Sequence, residues 1–278
     1  EISLGLVGSE MCIRDSDNSG QPSAKEVFDT TPYTILVVDD NPDMTDFLKR
    51  TFEGYFKRII IAGDGVEALQ LVRSHVPDII VSDVMMPRMN GYKLCKTIKE
   101  DINISHIPVI LLTARDDRQS QISGYKNGAD GYLSKPFEVE MLMELIRNRL
   151  KNREYTKKRY LNAGLIPTPE ESTISLTDET FLIKLNSIIQ ENIENSNLGI
   201  QFICQEVGLG RSSLYNKLKA LTGMGANEYI SKLRIEKAIT LISGTDMPFS
   251  EIAEKTGFTT PSYFSTAFKQ YTGETPSQ

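Results

Sequence analysis

The chain has no tryptophan, two histidines (His75 and His106) and three cysteines among its 278 residues. Cys12, Cys95 and Cys204 lie far apart and form no CxxC pair, which excludes a disulfide framework and the usual zinc spacings. They read as small hydrophobes plus one stray thiol in a reducing compartment. No apolar run approaches the ~20 residues needed to span a membrane. Positive charge is also short: the formal net charge is -6, which argues against a uniformly basic nucleic-acid coat but averages over the whole length. Glycine-rich phosphate loops and kinase-like motifs are missing, so the chain is not expected to use ATP itself.

What is present falls into two parts, as expected for this length. Glu1 is not an initiator, and residues 1–16 resemble a conceptual translation of sequencing-adapter DNA, so they are set aside from fold reasoning. Together with a Ser-, Asp- and Gly-rich stretch they form a disordered lead-in over 1–32. From 33 to 150, apolar runs near 34–38, 57–61, 78–82, 107–111 and 130–133 alternate with amphipathic helical patterns, which predicts five βα units around a parallel sheet. The runs are apolar nearly throughout, as strands covered on both faces require. Helix starts are marked by Asn41-Pro42-Asp43, Asp64-Gly65 and Asn90-Gly91. A mostly basic stretch from Lys151 and the broken segment Ile166-Pro167-Thr168-Pro169 predict a linker over 151–176. Residues 177–278 then read as helical, with Thr177-Asp178-Glu179 as the first cap.

The apolar runs end on chemistry: Asp39-Asp40, Asp83, Thr113 and Lys135. Parallel strands bring their carboxyl ends together, and ligands bind just outside them. Adjacent carboxylates suit Mg²⁺. A third carboxylate can act as a nucleophile towards phosphorus, while a hydroxyl and an ammonium can hold phosphoryl oxygens. Singly, each of these residues is more often a helix cap or a solvated charge; together and in this order they make a pattern.

That pattern resembles the receiver domain of two-component response regulators. The matching segments are Val37-Val38-Asp39-Asp40, Ser82-Asp83-Val84-Met85-Met86-Pro87-Arg88-Met89-Asn90-Gly91, Leu112-Thr113-Ala114 and Leu133-Ser134-Lys135-Pro136-Phe137. The resemblance implies a flavodoxin-like fold in which Asp83 is the phosphoacceptor. It assigns Mg²⁺ to Asp39, Asp40 and Asp83 with the Met85 backbone carbonyl, and the phosphoryl group to Thr113 and Lys135. Thr113 and Tyr132 would form the switch that alters packing near the helices after the fourth and fifth strands. A haloacid-dehalogenase-type phosphatase is the distant alternative, since those enzymes carry a DxD pair after the first strand and here the pair is adjacent. Activity of this segment would be limited to self-phosphorylation and dephosphorylation at Asp83, and neither histidine is expected to serve as phosphodonor.

The helical half contains an internal repeat. Lys219-Ala220-Leu221-Thr222-Gly223 returns as Lys269-Gln270-Tyr271-Thr272-Gly273, with Leu214 and Leu218 matched by Phe264 and Phe268. Each unit has a helix with a small residue, Cys204 or Ala253, then a turn at Gly208 or Gly257, then a second helix, which is the helix-turn-helix pattern. These motifs resemble the two helix-turn-helices of AraC-type regulators. The resemblance implies double-stranded DNA as partner, contacted from Arg211, Ser212, Tyr215 and Asn216 on one recognition helix and Ser262, Ser265 and Thr266 on the other. Between Gly199 and Gln278 there are eight Lys and Arg against seven Asp and Glu, a net of +1. That is a weak footprint for DNA, so backbone amides, hydroxyls and positioning would have to carry the phosphate contacts. Gly225-Ala226 stands where the second unit has Thr275-Pro276, and predicts a weaker helix cap.

The combined expectation is a phosphorylation-controlled, sequence-specific DNA-binding transcription regulator. A histidine kinase in cis or trans would supply the phosphoryl group, and phosphorylation would favour a homodimer. The stretch around Ser175 to Asn192 is similar to the output end of hybrid two-component sensors, which carry sensor and kinase upstream. That implies missing native sequence upstream and a cytoplasmic segment of a protein that can be anchored in the inner membrane; the closing helix of the second unit would only just begin at Gln278, so native sequence is expected to be missing there too. A stand-alone regulator of the same output type is one alternative. Another is a phosphotransfer or protein-interaction receiver whose helical half binds protein.

Overall fold

The computed structural model describes residues 28–114, 128–162 and 175–277. Most of the lead-in, the helix expected between the fourth and fifth strands, and residues 163–174 of the linker lie outside the described residues. Five strands form one parallel sheet: β1 (Thr34–Val38), β2 (Arg58–Ala62), β3 (Ile79–Asp83), β4 (Val109–Ala114) and β5 (Gly131–Lys135), in the order β2-β1-β3-β4-β5. The order doubles back at β1, so a crevice opens between the carboxyl ends of β1 and β3, the topological switch point of a doubly wound sheet. Register fixes what meets there: Val38 pairs with Ser82, and Asp83 pairs with Leu112.

Side chains alternate between the two faces of each strand, and both faces are covered. Ile35, Val37, Ile79 and Val81 pack on Leu48 and Phe52 of α1 (Pro42–Phe52) and on Leu142 and Ile146 of α4 (Val139–Asn162). Leu36, Val38 and Ile80 pack on Ala68 and Val72 of α2 (Gly65–His75) and on Leu94, Cys95 and Ile98 of α3 (Gly91–Glu100). This explains why the strand runs are apolar throughout. The expected caps form: Asn41 accepts from the Asp43 N–H, Asp64 from the Val66 and Glu67 N–H groups, and Asn90 from the Lys93 N–H, each satisfying donors that a helix start leaves unpaired.

α4 runs on to Asn162, through the first part of the segment read as a linker. Residues 151–162 contain no glycine or proline, and Lys157 and Glu154 pair at 2.5 Å within the helix, so nothing stops it. The next helix, α5 (Leu176–Glu191), also starts differently from expectation. Its cap is Ser175, whose hydroxyl accepts from the Asp178 N–H. Thr177 instead donates to the Lys99 carbonyl at 2.9 Å.

The helical half continues with α6 (Ile200–Val207), α7 (Arg211–Thr222), α8 (Ala226–Gly244), α9 (Phe249–Lys255) and α10 (Pro261–Thr272). Gly208 and Gly257 take φ of 72° and 71°, the left-handed conformation that the two turns demand and glycine adopts without Cβ strain. One core joins α5, α6, α7 and the first half of α8; a second joins the rest of α8 to α9 and α10 through Phe258, Phe264 and Phe268. Leu214, Leu218, Phe264 and Phe268 are buried, as the repeat predicts. Gly225 has no side chain to cap α8, but the Glu228 carboxylate accepts its N–H at 2.7 Å and makes good that loss.

Candidate functional site

The ends of β1, β3 and β5 bring Asp39, Asp83 and Lys135 into contact. Lys135 Nζ lies 2.8 Å from Asp39 Oδ2 and 2.5 Å from Asp83 Oδ1. Asp83 Oδ2 accepts the Met85 N–H at 2.7 Å, and Asp39 Oδ1 accepts the Asn41 N–H at 2.9 Å. Both carboxylates are buried, so these bonds supply what water would otherwise give them. Burial alone would lower the Lys135 pKa, but its hydrogen bonds to Asp39 and Asp83 outweigh burial and hold the ammonium above its ordinary value. Gly91 packs so closely that a Cβ there would lie 2.3 Å from the Asp83 carbonyl oxygen.

Two further sequence candidates line the same edge. Thr113, next to last in β4, is almost fully buried, and its hydroxyl has no hydrogen-bond partner among the described residues. Tyr132, on neighbouring β5, is half-buried against the core on the α2 and α3 side. Asp40 and Met85 are exposed at the rim. Among the described residues no group of three His, Cys, Asp or Glu side chains is arranged to hold a metal ion; the Lys135 ammonium takes up one oxygen each of Asp39 and Asp83. Two buried carboxylates against one ammonium, with Asp40 beside them, still leave an anionic, all-oxygen donor set.

On the helical half, Arg211, Ser212, Tyr215 and Asn216 of α7 are exposed, and so are Ser262, Ser265 and Thr266 of α10. Each set lies on the solvent side of its helix, away from Leu214 and Leu218 or Phe264 and Phe268. Lys217, counted above as a basic residue of this half, contributes no outer charge. It is fully buried, 2.5 Å from Asp178 Oδ1 and 2.8 Å from Ser105 Oγ. Sequence reasoning missed this contact, because no local pattern distinguishes a lysine that packs inward from its exposed neighbour Lys219.

Comparison with known proteins agrees with this geometry. The response regulator receiver domain matches residues 35–147, and a helix-turn-helix domain matches residues 203–278. The response regulator MprA of a Mycobacterium species is 36% identical over 165 residues, covering 55% of this chain and 70% of that protein. The chain belongs to the response regulator family. The DNA-binding response regulator MtrA of Mycolicibacterium smegmatis is 36% identical over 136 residues, 49% of this chain and 58% of that one. Histidine kinase P4 of Formosa agariphila is 41% identical over 245 residues, 88% of this chain. This response regulator spans only 18% of the length of that kinase. It pairs a receiver with an AraC-type helix-turn-helix domain in one chain. No described helix is long and apolar enough to cross a membrane.

Proposed function

We propose that this response regulator is switched by phosphorylation of Asp83 and that the switch controls sequence-specific DNA binding by the helical half. The observation that carries the reading is the meeting of Asp39, Asp83 and Lys135 beside the buried hydroxyl of Thr113, which has no partner among the described residues. A phosphohistidine of a histidine kinase, in cis or trans, is the donor. Its P–N bond breaks as an Asp83 carboxylate oxygen forms the new P–O bond, and the imidazole leaves with a proton. Lys135 offsets charge on the transferred group, and Thr113 donates its hydroxyl to a phosphoryl oxygen. The anionic oxygen donors Asp39, Asp40 and Asp83, with the Met85 carbonyl, fit Mg²⁺. When bound, the ion offsets repulsion between the nucleophilic carboxylate and the incoming phosphoryl group.

Once Thr113 engages the phosphoryl group, the space beside it opens to the Tyr132 ring, and packing changes on that edge of the sheet. Phosphorylation then favours a homodimer, which sets the spacing of two DNA half-sites. Arg211, Ser212, Tyr215 and Asn216 with Ser262, Ser265 and Thr266 supply the contacts to the major groove. Asn216 can pair bidentately with adenine.

The test is a full-length chain with Asp83→Ala. It keeps its fold but loses the change induced by acetyl phosphate or beryllofluoride, and a response that persists would defeat the assignment. Genome-wide DNA-binding sequencing with and without Asp83 tests the output. Absence of enrichment at any DNA site would favour a protein partner for the helical half.

A further inference from the structure

The two turn glycines of the repeat share a backbone conformation, φ of 72° at Gly208 and 71° at Gly257, but not their surroundings. A Cβ on Gly208 would meet nothing within 4 Å. On Gly257 it would lie 2.2 Å from the Ile193 carbonyl oxygen and 2.9 Å from Nη2 of Arg234. The left-handed backbone explains glycine at both turns; at Gly257 close approach adds a second reason. Ile193 lies between α5 and α6, so the turn of the second helix-turn-helix unit is pressed onto the first.

Arg234 fills that joint. Along α8 the first core ends at Leu233 and the second begins at Ile235, and Arg234 is the buried residue between them. Its Nη2 donates to the Asn195 carbonyl of the first unit at 2.7 Å, and its Cζ lies 5.9 Å from the centre of the Phe258 ring of the second. Among the described residues no carboxylate pairs with it. Burying a cation costs free energy, so packing alone does not account for an arginine here. A planar group that donates at its edge and stacks through its face can span two units at once. Tyr271 of α10 also donates to the Glu228 carbonyl at 2.7 Å, but at an exposed site where water can replace it.

We propose that Arg234 is a positioning residue for DNA recognition: wedged between Asn195, Gly257 and Phe258, it fixes the angle and separation of α7 and α10, and with them the spacing between the two base segments those helices contact. This rests on the reading that both helices contact DNA. Two linked modules bind together when their geometry lets both engage, and a rigid joint removes the entropy cost of orienting one against the other. The spacing preference is then set by a buried side chain that belongs to neither contacting helix.

Two measurements on the full chain test this. Cys12→Ser with Lys219→Cys and Lys269→Cys places spin labels at equivalent exposed positions of α7 and α10, while Cys95 and Cys204 are buried. Electron paramagnetic resonance should give one narrow label distance in this background and a broader or displaced one with Arg234→Gln or Gly257→Ala. Gly208→Ala brings the same left-handed strain without touching the joint and should leave the distance unchanged. Arg234→Lys keeps a donor for Asn195 and should recover part of the order; it carries the comparison if Arg234→Gln does not fold. A random-sequence duplex library is the DNA probe. The unsubstituted chain should select two base segments at one separation. Arg234→Gln should select the same segments at several separations and bind the original duplex about tenfold less tightly, with little change for a duplex carrying one segment. Label distances as unmoved in Arg234→Gln and Gly257→Ala as in Gly208→Ala, or separations unchanged by Arg234→Gln, would overturn the proposal. If the unsubstituted chain selects no sequence while the distances change as expected, the DNA reading fails and the recognition role goes with it, leaving the joint as geometry.

Discussion

Lys217 of α7 and Asp178 of α5 form a buried ion pair, 2.5 Å from Nζ to Oδ1, with Ser105 of the receiver bonded to both. The ammonium also lies 5.1 Å from the centre of the Phe181 ring. One hydrogen-bonded group thereby joins the receiver to the second helix of the first helix-turn-helix unit and leaves the opposite side of α7 exposed.

Breaking a buried pair by removing one partner costs more than the pair itself contributes, because the other charge is left stranded. Lys217→Met should therefore destabilise the helical half by about 3–5 kcal/mol in urea unfolding. Adding Asp178→Asn should recover part of the loss, since the neutral amide oxygen can accept from one of Ser105 and Ser175 while its N–H donates to the hydroxyl of the other. A single-variant loss below about 1 kcal/mol would mean that the Asp178 charge reaches water.

Thr113 gives the opposite sign. Its hydroxyl is buried without a partner among the described residues, so Thr113→Val removes a desolvation cost without breaking a hydrogen bond. The variant should be more stable by about 1 kcal/mol while its response to beryllofluoride falls away. Thermal unfolding and a dimerisation assay on the same sample check both halves; a destabilised Thr113→Val would show that the hydroxyl is satisfied in solution.

Gly91 is tested by volume alone. A Cβ at this position would lie 2.3 Å from the Asp83 carbonyl oxygen, so Gly91→Ala must push the β3 end and Asp83 out of place. A stability loss of about 1–3 kcal/mol should accompany slower phosphorylation by acetyl phosphate. Unchanged kinetics would mean that the backbone yields without moving the carboxylate.

His106 makes stability depend on pH. Its folded pKa is lowered to about 3, first by burial and then by the Arg153 and Lys217 cations, with Lys99 adding and Asp178 opposing. The unfolded value is near 6.5. Between these two values the unfolded chain binds a proton that the folded chain does not, so stability falls as pH falls below about 6.5. The slope approaches about 1.4 kcal/mol per pH unit. Urea titrations between pH 7 and 5 should show this slope in the wild type and a shallower one in His106→Gln. Equal slopes would place the proton uptake elsewhere.

The strands and the caps at Asn41, Asp64 and Asn90 were legible because each is a local pattern: apolar runs between turn residues, and Asn or Asp ahead of an amphipathic stretch. Asp39, Asp83, Thr113 and Lys135 were legible for a related reason, since in a parallel sheet the last residue of every strand lies at the same edge. The repeat in the helical half also declared itself, through spaced leucines, phenylalanines and turn glycines. The end of α4 was missed because a basic segment looks the same on a solvated helix as in a linker, and only continuous backbone hydrogen bonding tells them apart.

Sequence by itself determined two folded units, the residues at the sheet edge and the side chains offered to solvent by the second helix of each helix-turn-helix unit. Tertiary structure alone decided how the units meet. Lys217 reaches Ser105 across 112 residues and Asp178 across 39, and no periodicity or motif encodes contacts at such separations. The burial of one lysine among several follows from packing two surfaces whose complementarity exists only after each has folded.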